Sequence, residues 1–311
     1  MIDFKRIDHI GMVVADLEAQ AALFSDLLGL ERLGEWEDEA DAARGITFAL
    51  PEGDLHWEVS APTAPDSPLQ AFLESPRGPG LHHITFEVAD LEAVRSALRA
   101  LGVREADGSN GERVLVSADG AGEGLQMRFR ATLPALTPPV AGQPADRRAG
   151  DEQPSLGIEA LDHVSTAYRD RDELSRHYGR LLGMRQVWRT PDGAWPDFAD
   201  CVLEMPGGQI GWEVIQPVGD DSFITKFLDA RGPAPHHVAF RVRDFDAALA
   251  ACEQRGVPTF DVHDDQTDGH RWRDAFIHPR HTGGLLTQIF WEAHPGVWER
   301  SDKVRPEGYI A

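Results

Sequence analysis

Apolar, strand-like runs that carry a histidine recur along this chain, each followed by a helix-like segment and then by further strand-like runs. IDHIGMVV opens as a strand, and Asp16 stands where it can cap a helix over LEAQAALFSDLLG that ends at Gly29. GITFALP and HWEVSAP follow as strands. The cycle then restarts. HHITFEV predicts a strand, Asp90 caps a helix over LEAVRSALRALG, and VLVSA and LQMRFRA predict two later strands.

The same order returns further on. Ile7-Asp8-His9-Ile10 reappears as Leu161-Asp162-His163-Val164, and Leu27-Leu28-Gly29-Leu30 as Leu181-Leu182-Gly183-Met184, both 154 residues later. The run Arg77 to His83 matches Arg231 to His237 at the same offset, and Trp57-Glu58-Val59 matches Trp212-Glu213-Val214 at 155. Four separated motifs in register define a tandem repeat. Residues 1–131 and 157–293 are therefore two domains of two modules each. The Pro- and Ala-rich stretch 132–156 reads as an extended linker, and 294–311 as an aperiodic tail that Trp298 and Tyr309 could dock.

With 311 residues and 41% hydrophobic content, each half can bury a core. The formal charge of -22 makes the average surface repel nucleic acid and anionic membranes. Cys201 and Cys252 form no close pair, so neither a disulfide framework nor a thiolate zinc site is expected, and a reducing cytoplasm suits the chain. The first residues, MIDFKRIDHIGMVV, lack the pattern of a signal peptide, and no apolar run reaches the length of a membrane span. The expectation is a soluble cytoplasmic protein acting on a small molecule.

Taken together, these motifs resemble the vicinal-oxygen-chelate superfamily, which includes glyoxalases, methylmalonyl-CoA epimerases and extradiol dioxygenases. The second half is most similar to the epimerase branch, through LDHV, LLGM, WEVIQP, PHHVAFRV, RGV and FIHPRHTGG. Four modules in about 300 residues is instead the extradiol-dioxygenase architecture. The resemblance implies an α+β fold of four βαβββ modules forming two cupped mixed β-sheets, and a homodimer in case modules exchange partners. It also implies a metal held at the centre of a cup by one ligand from each of four strands. In the second half the matching positions are His163, Glu213, His237 and Gln288; in the first they are His9, Glu58, His83 and Arg128.

Imidazole nitrogen and carboxylate oxygen suit one divalent ion, with iron favoured and Mn, Co, Ni or Zn as alternatives. The competing reading, that these histidines only pack and hydrogen-bond, is stronger for the first half. Arg128 is a permanent cation with no lone pair to give a metal, and it is expected to pair with Glu58 instead.

In the epimerase branch two carboxylates move a proton beside a metal-bound carbonyl. Here Gln288 holds one of those positions, and Cys201, on FADCVLEMP, is read as holding the other. That reading tilts the expectation toward an extradiol-type dioxygenase, with a glyoxalase- or epimerase-like isomerase or lyase using Glu213 as base next, and a metal-free, ligand-sequestering protein third. Tyr168 is a candidate cavity residue. His270, with Arg271, Trp272 and Arg273, lies in the run DDQTDGHRWRD, read as a polar loop that could hold an anion or deliver a proton. His278 is assigned to local structure. Tryptophans 57, 195, 212, 272 and 291 suggest aromatic cavity walls.

Overall fold

The computed structural model describes residues 1–51, 54–108, 113–117, 124–131, 154–267 and 269–294. Most of the expected linker and nearly all of the tail, with Trp298 and Tyr309, lie outside the described residues.

The first half runs β1 (Arg6–Val13), α1 (Leu17–Asp26), β2 (Glu31–Asp38), β3 (Ala43–Ala49) and β4 (His56–Pro62), then α2 (Pro68–Glu74). Its second module is β5 (Gly80–Val88), α3 (Leu91–Ala100), β6 (Glu105–Asp107), β7 (Arg113–Val116) and β8 (Gln126–Ala131). The second half repeats the order as β9 (Ile158–Ala167), α4 (Arg171–Leu182), β10 (Arg185–Arg189), β11 (Phe198–Glu204), β12 (Gly211–Pro217) and α5 (Phe223–Arg231). It ends with β13 (Ala234–Val242), α6 (Phe245–Gln254), β14 (Thr259–Thr267), β15 (His270–Ile277) and β16 (Leu286–Glu292).

Each half forms one eight-stranded mixed sheet, ordered β2-β3-β4-β1-β5-β8-β7-β6 and β10-β11-β12-β9-β13-β16-β15-β14. The two modules of a half join through antiparallel central strands, β1 with β5 and β9 with β13. Each sheet is thus built from two consecutive modules of this chain.

The expected caps form: Asp16 Oδ1 accepts from Ala19 N at 3.0 Å, and Asp90 from Glu92 N and Ala93 N. Gly183 ends α4 with φ +72°, which a glycine adopts without steric cost. Sequence reading missed β2, because ERLGEWED is an edge strand with no buried position and so carries no apolar alternation. It also misread residues 264–274. Antiparallel pairing with Asp264 opposite Arg273, reinforced by the Arg271 to Asp264 ion pair, makes that stretch part of the β14–β15 hairpin and not a loop.

Period-two alternation divides each sheet's side chains between two faces. One face packs on helices. Phe24 of α1 meets Phe48 and Trp57, Tyr178 of α4 meets Trp212, and Trp57 reaches Phe240 of the other half at 6.0 Å between ring centroids. Trp57 and Trp212 are fully buried in this shared core, so they are not cavity walls; Trp195 is 49% exposed, stacked on Phe198. Among the described residues no helix is long and apolar enough to cross a membrane. Trp212→Ala empties a core position and strands Thr166 Oγ1, which accepts from Trp212 Nε1 at 3.1 Å. A loss of about 3–5 kcal/mol is expected in urea unfolding followed by circular dichroism.

Candidate metal centre

Four neighbouring strands, β12-β9-β13-β16, present the second-half residues on one face. Glu213 lies opposite Ser165, two residues from His163; Ala239 lies opposite both His163 and Gln288; His237 is two residues from Ala239. Alternation therefore sends His163, Glu213, His237 and Gln288 to the same side.

His163, Glu213 and His237 are all buried, and their ligand atoms lie within 4.8 Å of one another. His163 Nε2 is 3.4 Å from His237 Nε2, which is 3.4 Å from Glu213 Oε2. The outer nitrogens are engaged elsewhere. His163 Nδ1 is 2.8 Å from Asp162 Oδ2, and His237 Nδ1 is 3.0 Å from His236 Nδ1. Burial, with the nearby His236 and His163, holds His237 well below its usual pKa, and burial with Arg231 brings His236 to about 4. With Nδ1 engaged outward, both rings present Nε2 to the centre, the orientation metal-bound imidazoles take.

Glu213 Oε2 and Gln288 Oε1 are buried and have no hydrogen-bond partner. Gln288 is fixed by its other end: Nε2 donates to Asp274 Oδ2 at 2.7 Å, and Asp274 Oδ1 is 2.8 Å from His263 Nδ1. Two inward lone pairs, an orphaned carboxylate oxygen and an orphaned amide oxygen form a donor set that a divalent cation fits.

A second carboxylate lies beside this set. β11 pairs with β12 so that Val202 faces Glu213, which places Asp200, and not Cys201, on the metal face. Cys201 points into the core, and burial drives its thiol far up. Asp200 and Glu213 are therefore two buried carboxyls on one face of neighbouring strands, and each acts on the other's ionisation. Burial raises Asp200 to about 7, and burial with the Asp200 charge raises Glu213 to about 8. Asp200 and the supports Asp274, His263 and His236 were missed from sequence. The signal for Asp200 was only the phase of β11, which its apolar composition hides.

Other candidates fall elsewhere. Tyr168 follows the end of β9 and packs against the core, not into the cup. His270 is exposed, edge-on to His294, and about 13 Å along β15 from Asp274. Arg271 and Arg273 are taken by Asp264 and Asp246, and Arg273 also lies over the Phe245 ring. His278 caps a short 3-10 turn by accepting from Arg280 N.

The first half gathers His9, Glu58 and His83 in the same way, with His9 Nε2 3.3 Å from both partners. Two differences weaken it as a metal site. Thr85, equivalent to Ala239, places its hydroxyl 2.9 Å from His9 Nε2 and occupies that lone pair. His83 also lies over Gly11, where a Cβ would come within 2.0 Å of the ring; the second half has Ser165 there. Arg128 shares this cup, but it donates from Nε to Gln126 Oε1 at 2.7 Å and does not pair with Glu58, whose carboxylate turns to His9.

Comparison with known proteins agrees with this geometry. The chain is 38% identical over 100 residues to an ethylmalonyl-CoA/methylmalonyl-CoA epimerase of Cereibacter sphaeroides, covering 32% of this chain and 72% of that protein. It is 30% identical over 115 residues to human mitochondrial methylmalonyl-CoA epimerase, covering 37% of this chain and 62% of that one. A solved variant of 4-hydroxymandelate synthase from Streptomyces coelicolor superposes with a TM-score of 0.69 at 19% identity, covering 97% of this chain and 96% of that chain, a likeness of fold. The family model for the glyoxalase/bleomycin resistance protein/dioxygenase superfamily matches residues 8–115 and again 162–276, so this chain is a tandem member of that superfamily.

Proposed function

We propose that the second half is a metal-dependent isomerase or lyase that moves a proton next to a carbonyl. The observation that carries this reading is the Asp200–Glu213 pair against the His163, His237 and Gln288 donor set. The expectation of oxygenase chemistry leaned on the loss of a proton-transfer carboxylate at Cys201; Asp200 supplies one from the adjacent position.

His163, Glu213, His237 and Gln288 would hold the ion, and a divalent metal there would supply Lewis acidity. Asp200 does the proton work. Raised to about 7, it exchanges a proton near neutrality, where a general base or acid is most effective. Asp274 keeps the Gln288 amide turned so that its oxygen, and not its NH2, faces the centre. Phe276, edge-on to His237 at 5.8 Å, and the apolar cluster of Ala167, Ile215, Ile224 and Leu228 limit water at the site. The substrate class is a small acyl or oxo compound with two neighbouring oxygens and an acidic α-hydrogen. The curated relatives make methylmalonyl-CoA the first compound to try.

An extradiol-type dioxygenase is the second reading, favoured by the two-His, one-carboxylate composition of His163, His237 and Glu213, which suits Fe(II).

The two readings separate under nitrogen in D2O. With Co, Ni, Zn or Mn supplied, exchange of the α-hydrogen of methylmalonyl-CoA, or of small 2-oxo and 2-hydroxy carbonyl compounds, is expected by NMR. Asp200→Asn should lower the rate by roughly 10²–10⁴-fold while metal content persists. Oxygen uptake on a catechol with Fe(II), without any such exchange, would select the second reading.

Metal affinity has a defined pH sign. Raised carboxyl pKa values mean that binding a metal would release a proton from the pair, while His237, held neutral by burial, releases none near neutral pH. Apparent affinity, followed by competition with a chromophoric chelator, should rise with pH and level off near about 8. In Asp200→Asn the plateau should begin at lower pH, because one of the causes that raise Glu213 is gone.

A further inference from the structure

We propose that the cup of the first half is a second binding site, metal-free, in which Arg128 takes the carboxylate of a small monocarboxylate ligand. The cup encloses a cavity of about 1070 Å³ whose walls include Trp36, Glu58, His83, Arg113, Arg128 and Arg130. That is ample for a drug-sized molecule.

Three arginines face this space, and their partners differ. Arg130 reaches Asp8, and Arg113 lies 3.4 Å from Asp38. Arg128 has only Gln126 on its Nε; among the described residues its two terminal nitrogens have no acceptor and no carboxylate within ion-pair distance. Burial and the neighbouring Arg113 lower its pKa only to about 10, so it stays cationic at neutral pH. Trp36 Nε1 and Arg130 Nε on the same wall are buried donors without acceptors. A cavity whose unmet buried polar groups are donors calls for an acceptor-rich ligand, and a guanidinium fork matches a carboxylate in shape and charge.

The position explains why a metal is replaced. Arg128 lies opposite Thr85 as Gln288 lies opposite Ala239, so the charge stands where the second half presents its amide oxygen. A fixed cation there opposes a divalent ion. His82, lowered to about 3 by burial and by Arg128, and His83, held well below its usual value by the same two causes, stay neutral and add no competing charge. Glu37, Glu39 and Asp41 also line the cavity, and these carboxylates repel phosphate and other polyanions. The ligand is therefore a monocarboxylate whose remainder is neutral or cationic.

The test is calorimetric titration of the full chain with phenylacetate, and with phenyl phosphate as the polyanionic control. Arg128→Gln puts at this position the residue that the second half carries at the equivalent one, which favours correct folding; a thermal melt checks it, and Arg128→Lys keeps the charge without the fork. Phenylacetate should bind more tightly than phenyl phosphate, weaken by roughly tenfold or more in Arg128→Gln, weaken less in Arg128→Lys, and be unchanged in His237→Ala. Affinity indifferent to Arg128→Gln, affinity lost in His237→Ala, preference for the phosphate, or no saturable binding would each overturn the proposal. The His237→Ala arm separates this cup from the second-half site, so either assignment can fail without the other.

Discussion

Two imidazole nitrogens and a buried carboxylate oxygen, gathered within 4.8 Å of one another, repel unless a positive charge sits between them. The second half is built to hold that arrangement open. Asp162 and His236 pin the outer nitrogens of the two rings, Asp274 pins the Gln288 amide, and the pairing of β9 with β13 fixes the distance between the histidines. Satisfying the centre with protein groups alone would need a donor from within the cup. The second half has Ala239 where such a donor could stand.

The first half took that route. Thr85 supplies a hydroxyl to His9, and Arg128 supplies the positive charge that a metal would otherwise bring. The two cups share strand order but differ at one position: opposite Thr85 the first carries the Arg128 guanidinium, and opposite Ala239 the second carries the Gln288 amide. Because the helix-packed faces meet through Trp57 and Phe240, the cups open on the opposite faces of their sheets.

Much of this was legible in the sequence because the repeat aligns functional positions independently of structure. The family resemblance named His163, Glu213, His237 and Gln288, and the structure brings these four to one face of the second sheet; that Arg128 can give no lone pair followed from side-chain chemistry. What was hidden depended on strand phase and tertiary register. FADCVLEMP is apolar on both faces, so only pairing with β12 shows that Asp200 faces the metal side and Cys201 the core. Trp57 and Trp212 look like cavity walls in sequence, but each is adjacent to a ligand residue and so points the other way. Residues 264–274 look like a loop because apolar alternation stops after Val262; ion pairs across the hairpin, not burial, mark the strands there.

The central claim is that one half holds a metal and the other does not. Elemental analysis of the full chain, purified without chelator or affinity nickel, tests it directly on wild type, His237→Ala and His83→Ala. The account predicts about one divalent ion per chain, lost in His237→Ala and retained in His83→Ala. Metal retained in His237→Ala, or lost in His83→Ala, would contradict it.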